Sequence, residues 1–100
     1  YLNFFEGYME ELYQKEKERI TGNMLADIIE FRSEYQDWAS VEKWVKRAEE
    51  IMEQDLAAAK EVLKYYFKIK NENGFREAVR LIKESPLVLD SELLEWIRFY

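Results

Sequence analysis

The side chains that could do chemistry in this chain are its carboxylates, because the 100-residue sequence contains no histidine and no cysteine. Its 21 acidic residues include pairs that share one helical face, such as Asp27 with Glu30 and Glu6 with Glu10. Carboxylate oxygens are the ligands that hard divalent cations prefer. Pairs of this kind also arise by chance when so many acids lie on helices, so we expect no metal site and no cofactor.

The absence of histidine and cysteine closes the common routes to catalysis in a small helical domain. These routes include imidazole acid–base catalysis, a thiolate nucleophile or zinc ligand, and the Glu-x-x-His ligands of di-iron bundles. The glycines Gly7, Gly22 and Gly74 are isolated from one another, so no glycine-rich loop can cradle a phosphate. We therefore predict that the domain is not an enzyme and has no catalytic residue.

Aromatic residues are the more informative excess, at 16% of the sequence. Tyrosine and tryptophan are apolar in body and polar at the tip, which enriches them at protein interfaces. Most of the aromatic side chains must fill the core, but the C-terminal part carries more than one small core can bury. We predict a partner-binding surface there, with two lysines as a rim for an acidic partner, formed by Phe67, Trp96, Phe99, Tyr100, Lys64 and Lys68.

The element that must position this surface is predicted to be one long helix from Ser40 to Lys70. Apolar residues recur along it at helical spacing, among them Val45, Met52 and Ala59, and neither glycine nor proline interrupts it. Phe67 lies opposite this apolar seam on the helix. A single neighbouring layer cannot cover both sides, so we expect Phe67 to remain accessible to a partner.

Asp55 interrupts the apolar seam and allows more than one interpretation. It could be a buried functional carboxylate with a raised pKa. It could instead pair with a base on another helix, or cap a second helix that begins at Leu56. We favour a structural role for this carboxylate, and we favour a helix that continues through it. A turn between Met52 and Ala57 would divide the long helix and raise the helix count from five to six.

Four further helices complete an all-α prediction. Apolar periodicity places them at Leu2–Ile20, Met24–Trp38, Phe75–Glu84 and from Ser91 to the end. No segment shows the length and alternation of a β-strand. We expect a single domain, residues 1–100, folded as a helical bundle or an α-hairpin, solenoid-like array of about five helices around one long central helix.

Turn residues set the predicted helix boundaries. Ser40, Asn23 and Asp90 carry side chains that can accept a hydrogen bond from a first-turn N–H, so they are assigned as N-caps. Glycine reaches positive φ without steric cost, so Gly22 and Gly74 are assigned to left-handed C-cap positions.

Residues 73–79, NGFREAV, followed by Ser85 and Pro86, are similar to the Gly-aromatic-x-x-Ala run of tetratricopeptide-type helical hairpins. The similarity covers about twenty residues, and the sequence shows no second copy of the run at a period of about 34 residues. The resemblance implies a helical hairpin at this point and carries no function to this chain.

Composition excludes several classes of partner. With 48% apolar and 36% charged residues the chain is globular rather than disordered, and its uncharged runs are too short to cross a membrane. The net charge is −6, and residues 1–40 contain nine acids and four bases. An acidic domain repels phosphate backbones, so we do not expect nucleic acid as a partner. The Lys/Glu-rich, cysteine-free composition makes the cytoplasm the expected location. Because the chain opens at Tyr1, we expect it to be a fragment.

The leading functional prediction is a non-catalytic protein–protein interaction or assembly module. Its partner would be another protein or a second copy of the chain in a homodimer. The alternative is a helical regulatory domain that holds a small apolar or aromatic ligand between its helices. A third option is a helical accessory domain of a nucleic-acid enzyme, with Lys60, Lys64 and Lys68 as the contact stripe.

Overall fold

A computed structural model describes residues 2–98 of the chain. Within this range the polypeptide forms six α-helices and no β-strand, which confirms the all-α prediction. The helices are α1 (Leu2–Lys15), α2 (Gly22–Glu34), α3 (Trp38–Glu49), α4 (Leu56–Lys68), α5 (Glu72–Glu84) and α6 (Ser91–Arg98). The first helix is shorter than predicted, because a separate 3-10 helix, Lys17–Arg19, leads to Ile20.

The predicted continuous helix from Ser40 to Lys70 is wrong, because a turn at residues 50–55 divides it into α3 and α4. Asp55 has an extended backbone, with φ −136° and ψ 115°. Its Oδ1 accepts a hydrogen bond from the backbone N–H of Ala58 at 3.1 Å, which is the geometry of an N-cap. The capping interpretation of Asp55 is therefore confirmed, and the helix count is six rather than five.

Asp55 also fixes the start of a second helix. Its Oδ2 accepts a hydrogen bond from the N–H of Gly22, the first residue of α2, at 2.9 Å. The first N–H groups of a helix have no acceptor within it, so one carboxylate satisfies donors of both α2 and α4. A Cβ atom at position 22 would lie 1.9 Å from Oδ1 of Asp55 and 2.7 Å from the nitrogen of Ala58. Gly22 is needed for this close approach, and it is not the positive-φ C-cap that was predicted.

The N-caps of α2 and α3 also differ from the prediction. The hydroxyl of Thr21, rather than the side chain of Asn23, accepts an N–H of the first turn of α2 at 3.2 Å. Asp37 caps α3, and its carboxylate accepts a hydrogen bond from the hydroxyl of Ser40 at 3.0 Å. Ser40 therefore lies inside α3 and is not the N-cap that had been predicted. At α6 the prediction is confirmed, because Asp90 accepts a first-turn N–H at 2.9 Å.

The turns after α2 and α4 share one backbone geometry. Gln36 and Lys70 each have a φ of 57°, and in each turn the N–H of the next residue reaches back five positions to a helix carbonyl at 3.0 Å. This is the Schellman motif. The residue that closes it, Asp37 or Asn71, then caps the following helix. Gly74 lies within α5 without positive φ, so its predicted C-cap role is wrong.

These turns are part of a structural repeat. Helix α4 begins 34 positions after α2, and α5 begins 34 positions after α3. The left-handed residues Gln36 and Lys70 have the same separation. So do the buried residues Leu25, Ala59 and Leu93 in α2, α4 and α6. The segments α2–α3 and α4–α5 are thus consecutive α-hairpins of a short array, which α6 continues. The interval equals that of tetratricopeptide-type hairpins, although most of the equivalent positions carry different residues.

The core lies between the two hairpins, and α2 packs against both α3 and α4. Trp44 is fully buried, as are Val45 and Met52 of the predicted seam. Helix α1 adds Met9 and Leu12 to the same cluster. The seam was therefore assigned to the correct residues even though the helix that carries it is divided. Apolar burial of this kind contributes about 25 cal/mol per Å² and is the main stabilising term.

Two carboxylates attach α1 to the first hairpin. Glu6 accepts hydrogen bonds from Nε1 of Trp44 at 2.6 Å and from the guanidinium of Arg32. Glu10, one turn later, accepts a hydrogen bond from Arg47 at 2.7 Å. Burial raises the pKa of both carboxyl groups, but the hydrogen bonds and nearby positive charges outweigh it and leave both pKa values lowered. The Glu6 and Glu10 pair thus bonds to bases of the same chain.

Asp55→Leu is expected to lower the free energy of unfolding by about 2 to 4 kcal/mol, since it removes a cap and leaves the Gly22 N–H without its acceptor. Asp55→Asn keeps one acceptor oxygen and should cost less. Glu53→Leu, an exposed position in the same turn, serves as the control. Urea unfolding followed by circular dichroism measures all three. An unchanged stability of Asp55→Leu would show that this carboxylate does not hold the two helix starts.

Two glycine substitutions are expected to have opposite signs. Gly22→Ala should destabilise the protein by about 2 kcal/mol or more, because the new methyl group collides with Asp55 and the α4 backbone. Gly7→Ala should stabilise it by roughly 0.5 to 1 kcal/mol, because that site in α1 has no neighbouring atom within 4 Å. Thermal unfolding of both variants measures the difference. Equal effects would mean that position 22 is not sterically constrained.

Candidate functional site

The structure brings two of the predicted docking residues into contact. The rings of Phe67 on α4 and Trp96 on α6 have centroids 5.3 Å apart and an interplanar angle of 76°, an edge-to-face arrangement. Phe75 on α5 lies 6.5 Å from Trp96. Trp96 is partly buried against the core, whereas Phe67 keeps 53% of its surface exposed. The exposed ring of Phe67 therefore packs against the more buried ring of Trp96. We call this exposed ring the Phe67 edge.

A cleft of about 520 Å³ lies beside Phe67, where the end of α4 meets the start of α5. We call it the α4–α5 cleft. Its aromatic lining consists of Tyr66, Phe67 and Phe75. The hydroxyl of Tyr66 donates a hydrogen bond to Glu49 at 2.9 Å. Burial and this bond raise the pKa of Tyr66 to about 12. The hydrogen bond to Glu49 holds the ring at the wall of the cleft.

The two predicted rim lysines have different surroundings. Lys64 lies 3.5 Å from Glu61 and 3.7 Å from Glu92, and it does not line the α4–α5 cleft. Lys68 does line the cleft, and its Nζ lies 5.2 Å from the ring centroid of Trp38. The structure therefore brings Lys68, but not Lys64, to the predicted surface beside Phe67.

Part of the predicted surface lies outside the described residues, namely Phe99 and Tyr100. Other contributors were missed by the sequence reasoning. Lys70 and Arg76 line the α4–α5 cleft because of the Schellman turn that precedes α5. The local sequence signal for this turn is Asn71, a residue type that favours N-cap positions.

The most unusual charged residue is Glu61 on α4, a carboxylate that is only 4% exposed. Burial, followed by the neighbouring carboxylate of Glu30 on α2, raises its pKa to about 7, although Lys64 acts in the opposite direction. Glu61 lines a second cleft of about 530 Å³ between α2, α4 and α6. Sequence periodicity missed it because α6 and α2 together cover a side of α4 that one neighbour would leave exposed.

Over residues 2–98, no three acidic, histidine or cysteine side chains converge on a point that could hold a metal ion. In the same range, no helix has both the length and the apolar character needed to cross a bilayer. What the geometry does offer is an exposed aromatic edge beside a cleft, a shape typical of binding sites.

Comparison with known proteins gives no match for this chain among protein-family models, curated proteins or solved structures. The function of this chain therefore has to be inferred from the chemistry of the site itself.

Glu61→Gln is expected to change how stability depends on pH. The folded pKa of Glu61 is raised from 4.5 to about 7, so its proton stabilises the folded state fully below about pH 4.5. This contribution is lost as the pH rises to about 7 and above, by an amount on the order of 3 kcal/mol. Removing the ionisable group should therefore flatten the stability profile between pH 4.5 and 8 and raise stability at pH 8.

The matched control is Glu53→Gln, because Glu53 is exposed. Carboxyl groups with lowered pKa, such as Glu6 and Glu10, are present in the wild type and in both variants, so their contribution cancels in the comparison. Urea titrations at both pH values measure the effect. If wild type and Glu61→Gln lose stability equally between pH 4.5 and 8, Glu61 is not a buried carboxylate of raised pKa.

Proposed function

We propose that this domain is a non-catalytic protein–protein interaction or assembly module that docks its partner at the α4–α5 cleft and the adjoining Phe67 edge. The observation that carries the proposal is the half-exposed ring of Phe67, held edge-on against Trp96 at the mouth of a cleft of about 520 Å³. Binding energy at interfaces concentrates in aromatic side chains that enter or form pockets.

The hairpin array supports the same proposal. Repeated α-hairpins give rigid, extended surfaces on which partners bind, and each turn between hairpin helices presents a fixed set of side chains. Here the turn after α4 presents Phe67 and Lys70 on a backbone closed by hydrogen bonds. A pre-organised surface loses less conformational entropy on binding than a flexible loop does. In this proposal the partner is another protein or a second copy of the chain, and the module acts in the cytoplasm.

A second candidate function is a regulatory domain that binds a small aromatic or apolar ligand. The aromatic lining of the α4–α5 cleft by Tyr66, Phe67 and Phe75 favours it. A ligand-induced increase in melting temperature with small aromatic compounds would support it.

The third option, a nucleic-acid accessory domain, has less support from the charges. Lys60 bonds to Asp90 at 2.6 Å, and Lys64 lies near Glu61 and Glu92. These lysines are therefore neutralised by acids of the same chain, and a phosphate backbone would have to displace them.

Phe67→Ser is expected to weaken association while leaving the helical content and stability close to wild type, because half of this ring is already exposed. Phe4→Ser on α1 is the matched control, as Phe4 is 86% exposed and lies on a different helix. Size-exclusion chromatography with light scattering, over roughly 10 µM to 1 mM, tests self-association in the range of weak interfaces.

A photo-reactive amino acid at position 67, compared with one at position 4, tests for a different protein as partner. We expect stronger cross-linking at position 67. A chain that stays monomeric over the whole concentration range, and that cross-links no better from position 67 than from position 4, would contradict the proposed function.

A further inference from the structure

The α4–α5 cleft carries a charge opposite to that of the chain. Three cationic side chains line it, Lys68, Lys70 and Arg76, against one acid, Glu72. Glu72 accepts a hydrogen bond from Arg76 at 2.8 Å, so its charge is balanced within the lining. The chain as a whole has a net charge of −6. A local positive excess therefore lies at the mouth of an aromatic cleft in an acidic protein.

The backbone adds to this positive potential. The α4–α5 cleft includes Asn71 and Glu72, the N-cap and first residue of α5. The N-terminus of a helix carries about half a positive elementary charge from its aligned peptide dipoles. The left-handed φ of 57° at Lys70 places that residue in the tight turn between the two helices, on the exposed side.

The charges of the other two large clefts are paired within the chain. In the cleft of about 550 Å³ between α1 and α3, Glu50 bonds to Tyr13 at 2.6 Å and to Lys17 at 2.9 Å. In the cleft beside Glu61, Lys60 bonds to Asp90 at 2.6 Å and to Glu92 at 3.2 Å. These networks hold helices together, so a ligand would have to break them. The α4–α5 cleft combines a charge excess with an exposed aromatic ring.

We infer that the α4–α5 cleft binds an acidic segment of a partner protein, with one apolar or aromatic side chain of that segment packed against Phe67. This inference rests on the proposed function and names the chemistry of the partner. The apolar anchor would contact the ring of Phe67, and flanking carboxylates would lie near Lys68 and Lys70. Complementary charges at the rim mainly speed association and select the partner, while the apolar contact supplies most of the affinity.

The test uses a short fluorescent peptide with one tryptophan flanked on both sides by glutamates, and fluorescence polarisation with the whole chain. We expect saturable binding that weakens as salt is added, because the ion pairs at the rim are exposed to solvent. A peptide with lysines in place of the glutamates should not bind, and one with alanine in place of the tryptophan should bind at least about tenfold more weakly.

The double substitution Lys68→Glu with Lys70→Glu reverses the charge at the rim, and we expect it to weaken the acidic peptide roughly tenfold or more. Lys46→Glu, an exposed lysine on α3, is the matched control and should have little effect. Circular dichroism verifies that all variants keep their helical content.

The outcomes separate this inference from the proposed function. If Phe67→Ser lowers association but the charge reversal at positions 68 and 70 does not, the docking site stands and the acidic partner is wrong. Equal binding of the glutamate and lysine peptides, or no binding of either, also overturns the acidic partner. Self-association that is lost on charge reversal, without peptide binding, would overturn it in favour of a folded second copy.

Discussion

The two hydrogen bonds of the Asp55 carboxylate are the constraint on which the remaining geometry depends. The bond from the N–H of Ala58 caps the start of α4, where the predicted long helix is divided. The bond from the N–H of Gly22 holds the first residue of α2 next to that cap. The absence of a side chain at Gly22 makes that approach possible. The starts of α2 and α4 therefore lie next to each other. The two hairpins that these helices open are separated by 34 positions in the sequence, and so are their turns. The α4–α5 cleft follows from the second of these turns.

Charged side chains then hold the helices at both ends of the array. Glu6 and Glu10 of α1 accept hydrogen bonds from residues of the first hairpin. Lys60 of α4 donates hydrogen bonds to Asp90 and Glu92 at the start of α6. Partly buried networks of this kind are worth more than isolated surface pairs, because solvent screens them less. Such pairing uses Glu6 and Glu10, one of the acidic pairs that the sequence offered as possible metal ligands. At these positions the acidic side chains attach one helix to another.

The sequence was sufficient for the helical class and for most of the core, since periodicity depends on local spacing and Val45 and Met52 are buried as predicted. It left the division at Asp55 undecided, because the aspartate that could cap a helix at Leu56 interrupts an apolar seam that contains no glycine or proline. The bond from Gly22 that also fixes Asp55 comes from a residue 33 positions away in the chain. The burial of Glu61 was missed for a related reason, as it depends on both α2 and α6. In the candidate site the rings of Phe67 and Trp96 are in contact, while Lys70 and Arg76 line the cleft through a turn whose local signal, Asn71, was not recognised from the sequence.

The repeat provides its own comparison between two turns with the same backbone. The position of Phe67 in the second hairpin is that of Ser33 in the first, and Tyr66 corresponds to Arg32. Arg32 is bound by Glu6, so α1 attaches to the first turn of the array. At the second turn, the equivalent position carries a tyrosine that bonds to Glu49 of the preceding helix, and the neighbouring phenylalanine is half exposed. Backbone geometry alone thus does not make a docking surface in this array. The difference lies in side chains, since Arg32 near the first turn bonds to α1, whereas Tyr66 and Phe67 near the second turn line the α4–α5 cleft.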